Sequence, residues 1–151
     1  MKKAAIVGAT GYAGQELGGL LARHPEIGDV HLMSARPEAE VQLLGPRGDR
    51  PVHPLETDRL AAGDFDVVFA CLPHGVGLPA VQAALEGDAL VVDLSADLRF
   101  QDPEQFAAAY GAPHGAPELC AMARYGLTEH DRGSLAGARL IANHGCYPTA
   151  T

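Results

Sequence analysis

Three groups of residues have the types and spacing to do chemistry. The first is a thiol near the end of the chain. Cys146 follows the apolar run Arg139–Ala142 and the residues Asn143, His144 and Gly145, and it precedes Tyr147-Pro148-Thr149. Proline is tolerated where a helix begins. A thiol at a helix N-terminus feels the positive end of the macrodipole, which favours thiolate, and the N–H groups there can hold an oxyanion on an attacked carbonyl. Cys146 is therefore the candidate nucleophile. Cys71 falls inside an apolar run and Cys120 near Leu119 and Met122, so both are assigned to packing. Three widely spaced cysteines with no Cys-x-x-Cys pair argue against a disulfide scaffold and mark no metal site.

The second group is Gly8-Ala9-Thr10-Gly11-Tyr12-Ala13-Gly14, with glycines at a spacing of three and three. It lies between an apolar run and a helical pattern, where a tight turn without Cβ atoms lets backbone N–H groups and a helix N-terminus approach a pyrophosphate. A tight turn that binds nothing is the plainer alternative. The third group is Met33-Ser34-Ala35-Arg36, ending what reads as the second strand. An NAD site usually carries Asp or Glu here, to hold the ribose 2′-hydroxyl. A hydroxyl and a guanidinium suit a 2′-phosphate instead, so the pattern predicts NADP.

These groups need elements to position them. Lys3–Val7 reads as a strand, and Ala13, Leu17, Leu20 and Leu21 follow at helical spacing; Val30–Met33 reads as the second strand. The stretch from Ala35 to Pro54 reads as an irregular excursion or weak hairpin. Asp66–Leu72 is a continuous apolar run suited to a strand buried on both faces. A helix with Leu78, Val81 and Leu85 on one face follows and stops at Gly87. Ala89–Leu94 is another buried strand. Asp102-Pro103-Glu104-Gln105 starts a short helix carrying Phe106 and Tyr110. Tyr110 to Gly137 reads as loop-rich, and Arg139–Ala142 as the last strand. Strands alternating with helices predict an α/β fold, a doubly wound, mostly parallel Rossmann-like sheet.

Composition narrows the class. The 151 residues carry 47% hydrophobic and 20% charged side chains, enough apolar surface for the core of one ordinary domain. A formal charge of −8, with no basic block, disfavours passive binding to nucleic acid or anionic membranes. No apolar run reaches the ~18–20 residues of a membrane span, and the Met1-Lys2-Lys3 start leads too soon into glycine for a signal segment. The expectation is a soluble, cytoplasmic protein.

Five motifs occur in the order seen in the N-acetyl-gamma-glutamyl-phosphate reductase family, related to aspartate-semialdehyde dehydrogenase. They are the glycine turn, Leu72-Pro73-His74-Gly75, Asp93-Leu94-Ser95-Ala96-Asp97-Leu98-Arg99, Tyr125-Gly126-Leu127-Thr128-Glu129 and Asn143-His144-Gly145-Cys146-Tyr147-Pro148-Thr149. The resemblance spans the chain and implies NADPH-dependent reduction of a small acyl phosphate to a semialdehyde, with phosphate released and Cys146 carrying a thioester. The implied cofactor site is Gly8, Thr10, Gly11, Tyr12, Ala13 and Gly14, with Ser34, Arg36, Leu72 and Pro73. His74 is assigned to packing on the cofactor side.

Arg99 and Asn143 are assigned to the substrate side. A guanidinium fork matches a phosphate or carboxylate, and a salt bridge from Arg99 to Asp97 or Asp102 is the competing reading. Ser95 is read as satisfying backbone at a strand end. The chain departs from the family pattern at His144 and Thr128, where relatives usually have proline. The resemblance also implies that residues 1–151 form the NADP-binding domain, ending at the nucleophile. The acid/base histidine and the domain for substrate and homo-oligomer contacts would lie in further sequence. Two other readings stay open here: a reductase of a carrier-bound aminoadipyl phosphate in lysine biosynthesis, and a non-catalytic NADP-binding fragment.

Overall fold

A computed structural model of the chain describes residues 1–36 and 50–147. Within them β1 (Lys2–Val7) leads into α1 (Tyr12–Leu21), followed by β2 (Ile27–Ser34), β3 (Val52–Pro54), α2 (Thr57–Ala61) and β4 (Val67–Ala70). Then come α3 (Leu78–Glu86), β5 (Leu90–Asp93), α4 (Pro103–Tyr110), α5 (Pro117–Met122), β6 (Arg124–Gly126), α6 (Thr128–Leu135) and β7 (Leu140–Asn143). The seven strands form one sheet in the order β3-β2-β1-β4-β5-β7-β6, every pair parallel. The expected doubly wound architecture is present.

Alternation along β1 shows how the sheet is covered. Ala4 and Ile6 pack with Leu21, Val30 and Leu32 on the α1 side. Ala5 and Val7 pack with Leu60, Val81 and Leu119, from α2, α3 and α5, on the other. Successive side chains leave a strand on opposite faces, so a strand buried on both faces must be apolar throughout. The chain leaves β1 toward β2 on one flank and reaches β4 on the other. That reversal opens a crevice at the carboxyl ends of β1 and β4, where open α/β sheets bind ligands.

The structure corrects several expectations. Most of the Ala35–Pro54 excursion lies outside the described residues. Its end, Val52–Pro54, pairs parallel with β2, matching Leu32 to Val52 and Ser34 to Pro54. In α1, Ala13 and Leu20 face solvent while Gly14 and Leu21 are buried. The helix approaches the sheet through its small residues: a Cβ at Gly18 would meet Ile6 and Leu32 at 3.8 and 3.9 Å. The segment from Tyr110 to Gly137 holds α5, β6 and α6 rather than loop alone, and β6 is fixed by pairing Tyr125 with Ala142. The start of α4 is as read, with Asp102 Oδ1 accepting from the Glu104 N–H at 2.8 Å. No helix among the described residues is long and apolar enough to cross a membrane.

Candidate functional site

A cleft of about 480 Å³ lies at the carboxyl ends of β1, β2, β4 and β5. Gly8, Thr10, Gly11, Tyr12 and Ala13 line it from the glycine turn, Ser34 and Arg36 from the end of β2, and Leu72 and Pro73 from the end of β4. The structure thus gathers nine of the ten residues assigned to a cofactor. The tenth, Gly14, is buried behind the turn. A Cβ at Gly14 would stand 2.4 Å from the Gly8 carbonyl oxygen and 2.7 Å from Ala9 Cα. Gly8 has φ +90, and a Cβ there would stand 2.4 Å from the Cys71 carbonyl oxygen. These two glycines serve close approach within the chain.

The turn is held from behind. The Gly8 and Ala9 N–H groups both donate to the Met33 carbonyl, at 2.9 and 3.0 Å, joining the turn to β2. Gly11 caps α1 with no side-chain bond, and no acidic residue stands in the first turn. The first N–H groups of a helix have no partner within it, and here their residues Tyr12 and Ala13 line the cleft. That donor set suits an anion such as a pyrophosphate. Ser34 is buried, takes the Arg36 N–H on its Oγ at 3.1 Å and stands 3.4 Å from Thr10 Oγ1. This local bond turns the chain after β2 and leaves Arg36 exposed at the cleft.

Four further residues line the cleft beyond those assigned to a cofactor: Ala35, Cys71, Val76 and Leu94. Cys71 and Leu94 each follow the last residue of a strand, so the rule placing ligands at carboxyl strand ends carries the signal that finds them. Conversely, His74 is exposed, does not line the cleft, and sets its ring edge-on against Tyr110 at 5.5 Å. Its assignment to the cofactor side is corrected.

The residues assigned to the nucleophile and the substrate stand beside β7, outside the cleft lining. Cys146 is exposed, and it and Tyr147 have helical backbone. The His144 N–H, which a proline would lack, donates to the Gly126 carbonyl at 3.2 Å and ties this turn to β6. The His144 ring Nδ1 lies 3.1 Å from the Gly145 carbonyl. Arg99 makes neither expected salt bridge. Its Nε donates to the Asn143 carbonyl at 3.0 Å and its Nη2 to the Leu94 carbonyl at 3.1 Å, clamping the ends of β5 and β7. Asn143 Nδ2 donates to the His144 carbonyl at 3.3 Å.

Ser95 bonds locally, as read. Its Oγ donates to Asp93 Oδ2 at 2.6 Å and accepts the Asp97 N–H at 3.1 Å, while Asp93 Oδ1 accepts the Ser95 N–H. Burial pushes the Asp93 carboxyl above its usual range, against the pull of the Ser95 bonds. Among the described residues no cluster of His, Cys, Asp and Glu is arranged to hold a metal ion.

The three thiols stand in different settings. Cys71 is half-buried at the cleft rather than inside the sheet, and burial, helped by the Asp93 charge, pushes its pKa up to about 12. Cys120 is fully buried, and burial raises its pKa as well. The thiolate is the reacting species, so a thiol titrating several units above the working pH reacts slowly. Iodoacetamide at pH 8 should therefore alkylate Cys146 at least about tenfold faster than Cys71 or Cys120 in the native chain. Peptide mass spectrometry over a time course checks this; equal rates at Cys71 and Cys146 would contradict it.

Residues 3–136 match the family described as semialdehyde dehydrogenase, NAD binding domain. N-acetyl-gamma-glutamyl-phosphate reductases of Azotobacter vinelandii and Ectopseudomonas mendocina are 46% and 47% identical to the chain over 156 residues, covering all of it and 45% of each relative. The chain thus spans about half the length of the curated relatives it matches. The crystal structure of aspartate semialdehyde dehydrogenase II from Vibrio cholerae superposes with a TM-score of 0.72 at 16% identity, over 97% of this chain and 39% of that one. That likeness carries the fold alone.

Proposed function

Because the chain belongs to the semialdehyde dehydrogenase NAD-binding-domain family, we propose that residues 1–151 are the NADP-binding, nucleophile-bearing part of an N-acetyl-gamma-glutamyl-phosphate reductase of arginine biosynthesis. The reaction is reduction of the acyl phosphate to the semialdehyde with release of phosphate. The observation that carries the cofactor reading is the cleft, which joins the glycine turn to Ser34 and Arg36 with no acidic side chain among its described lining. Substrate recognition beyond this chain, the acid/base histidine and association between copies belong to the remaining half of the relatives' length. The cytoplasm is the compartment that fits such biosynthesis.

In this reading the first-turn amides of α1 would hold the pyrophosphate, and Thr10, Ser34 and Arg36 would hold the 2′-phosphate. Leu72 and Pro73 form the apolar wall that excludes water. Reduced NADP, when bound, supplies hydride. The Cys146 thiolate attacks the acyl carbonyl; the carbon–oxygen bond to phosphate breaks, phosphate leaves with the electron pair, and a thioester remains on Sγ. Arg99 commits Nε and Nη2 to carbonyls and keeps Nη1 for a substrate anion, with Asn143 beside it.

Fluorescence titration of the chain with NADPH and NADH tests the cofactor assignment. NADPH should bind more tightly. Arg36→Asp removes charge-assisted hydrogen bonds worth about 1.5–3 kcal/mol, which should weaken NADPH by roughly 10–100-fold and move preference toward NADH. An unchanged NADPH/NADH ratio in that variant would remove Arg36 from the site.

A further inference from the structure

We infer that Asp97 positions the Leu72–Gly77 wall of the cleft through its bond to the Gly75 amide. The inference rests on reading the cleft as a dinucleotide site. This wall leaves the end of β4 and enters α3, and Leu72, Pro73 and Val76 line the cleft from it. The stretch from Pro73 to Val76 is exposed throughout. Its own turn bond, from the Val76 N–H to the Pro73 carbonyl at 3.2 Å, ties it only to itself.

Among the described residues, one hydrogen bond and one ring contact join that stretch to the body of the domain. The ring contact sets His74 against the partly exposed Tyr110. The hydrogen bond is the Gly75 N–H, which donates to both Asp97 oxygens at 2.9 and 2.7 Å. Asp97 is 1% exposed, and no described Lys or Arg stands within ion-pair distance of it. Burying a carboxylate without a counter-charge opposes folding, a cost that a neutral side chain would spare. The charge therefore acts on the amide it touches. Gly75 has φ +74, a backbone state that glycine adopts freely, and a charge-assisted bond holds it there.

Asp97 is itself rigidly placed. Its N–H donates to Ser95 Oγ, and its carbonyl lies 2.8 Å from His114 Nε2. His114 Nδ1 accepts the Ala116 N–H at 3.0 Å, which puts the ring proton on Nε2 and makes it the donor to Asp97. A fixed carboxylate thus sets the height of the wall opposite the glycine turn. Asp97 touches no reacting group and acts only through this loop.

The test compares Asp97→Ala and Asp97→Asn with the parent chain by amide exchange and by NADPH fluorescence titration. Asp97→Ala should raise exchange at Gly75 and the NADPH dissociation constant by about tenfold each. Asp97→Asn, which keeps one acceptor oxygen, should give smaller rises. The Val91 amide in the interior strand β5, which donates to the Arg139 carbonyl, should stay protected, which separates a released loop from an unfolded chain. An NADPH affinity within twofold of the parent, in a variant whose Val91 amide is protected, overturns the inference; so does a Gly75 amide unprotected in the parent. If the parent fails to bind NADPH, the dinucleotide reading falls, and exchange at Gly75 alone decides whether Asp97 anchors the wall. If Asp97→Ala does not fold, Asp97→Asn carries the same comparison.

Discussion

Replacing Cys146 by serine should lower acyl-phosphate reduction by roughly 10³-fold or more, measured in a chain that joins this domain to the remaining half of its relatives' length. A hydroxyl at the same place is far less ionised than a thiol at neutral pH, and an ester is a different acyl intermediate from a thioester. Cys146 does not line the cleft, so NADPH affinity should stay within twofold of the parent. This pairing of outcomes is diagnostic. Lost turnover with intact cofactor binding assigns the nucleophile; retained turnover would remove Cys146 from the chemistry. Among the described cysteines neither alternative is well placed to substitute, since Cys120 is sealed in the core and burial holds Cys71 protonated.

The second large effect is expected at Gly14. An alanine Cβ there meets the Gly8 carbonyl and Ala9 Cα at 2.4 and 2.7 Å, both backbone atoms with no flexible end to swing aside. The turn would have to open or α1 would have to lift from the sheet. Overpacking of this kind costs about 1–3 kcal/mol, a large share of the ~5–15 kcal/mol that stabilises an ordinary domain. Because Gly8 lines the cleft, NADPH binding should weaken by at least about tenfold as well. Gly19→Ala on the same helix is the control. Nothing stands within 4 Å of its Cβ, so the substitution should stabilise α1 by up to about 1 kcal/mol. Urea denaturation of the two variants reads the contrast, and a Gly14→Ala protein as stable as the parent would sink the packing argument.

Much of the frame was legible because burial on both faces leaves a plain mark. Val67–Ala70 and Leu90–Asp93 sit inside longer apolar runs, and Asp102 announces α4 by chemistry local to four residues. The spacing of Ala13, Leu17, Leu20 and Leu21 marks α1 as a helix but not the face it buries, because Gly14 and Gly18 lie close to the turn and sheet and a hydrophobicity pattern cannot register an absent side chain. The elements after Tyr110 escaped because they are short and depend on distant partners. β6 is three residues long, contains a glycine, and exists through its ladder with β7. Arg99 illustrates the same limit. Acidic neighbours two and three residues away suggested an ion pair, but the fold offers it two strand-end carbonyls. Likewise Asp97 finds its amide 22 residues back in the chain, a distance no local pattern spans.

The strand order has one more consequence. The ends of β2 and β7 are four inter-strand spacings apart, about 19 Å at the usual separation. Ser34 and Arg36 stand at one end of that ruler and Cys146 three residues beyond the other. Effects at sites so far apart, with no shared partner, generally add. The choice of electron donor and the acyl chemistry are therefore separable variables: a protein engineer can rewrite the first at β2 without retuning the thiol beyond β7.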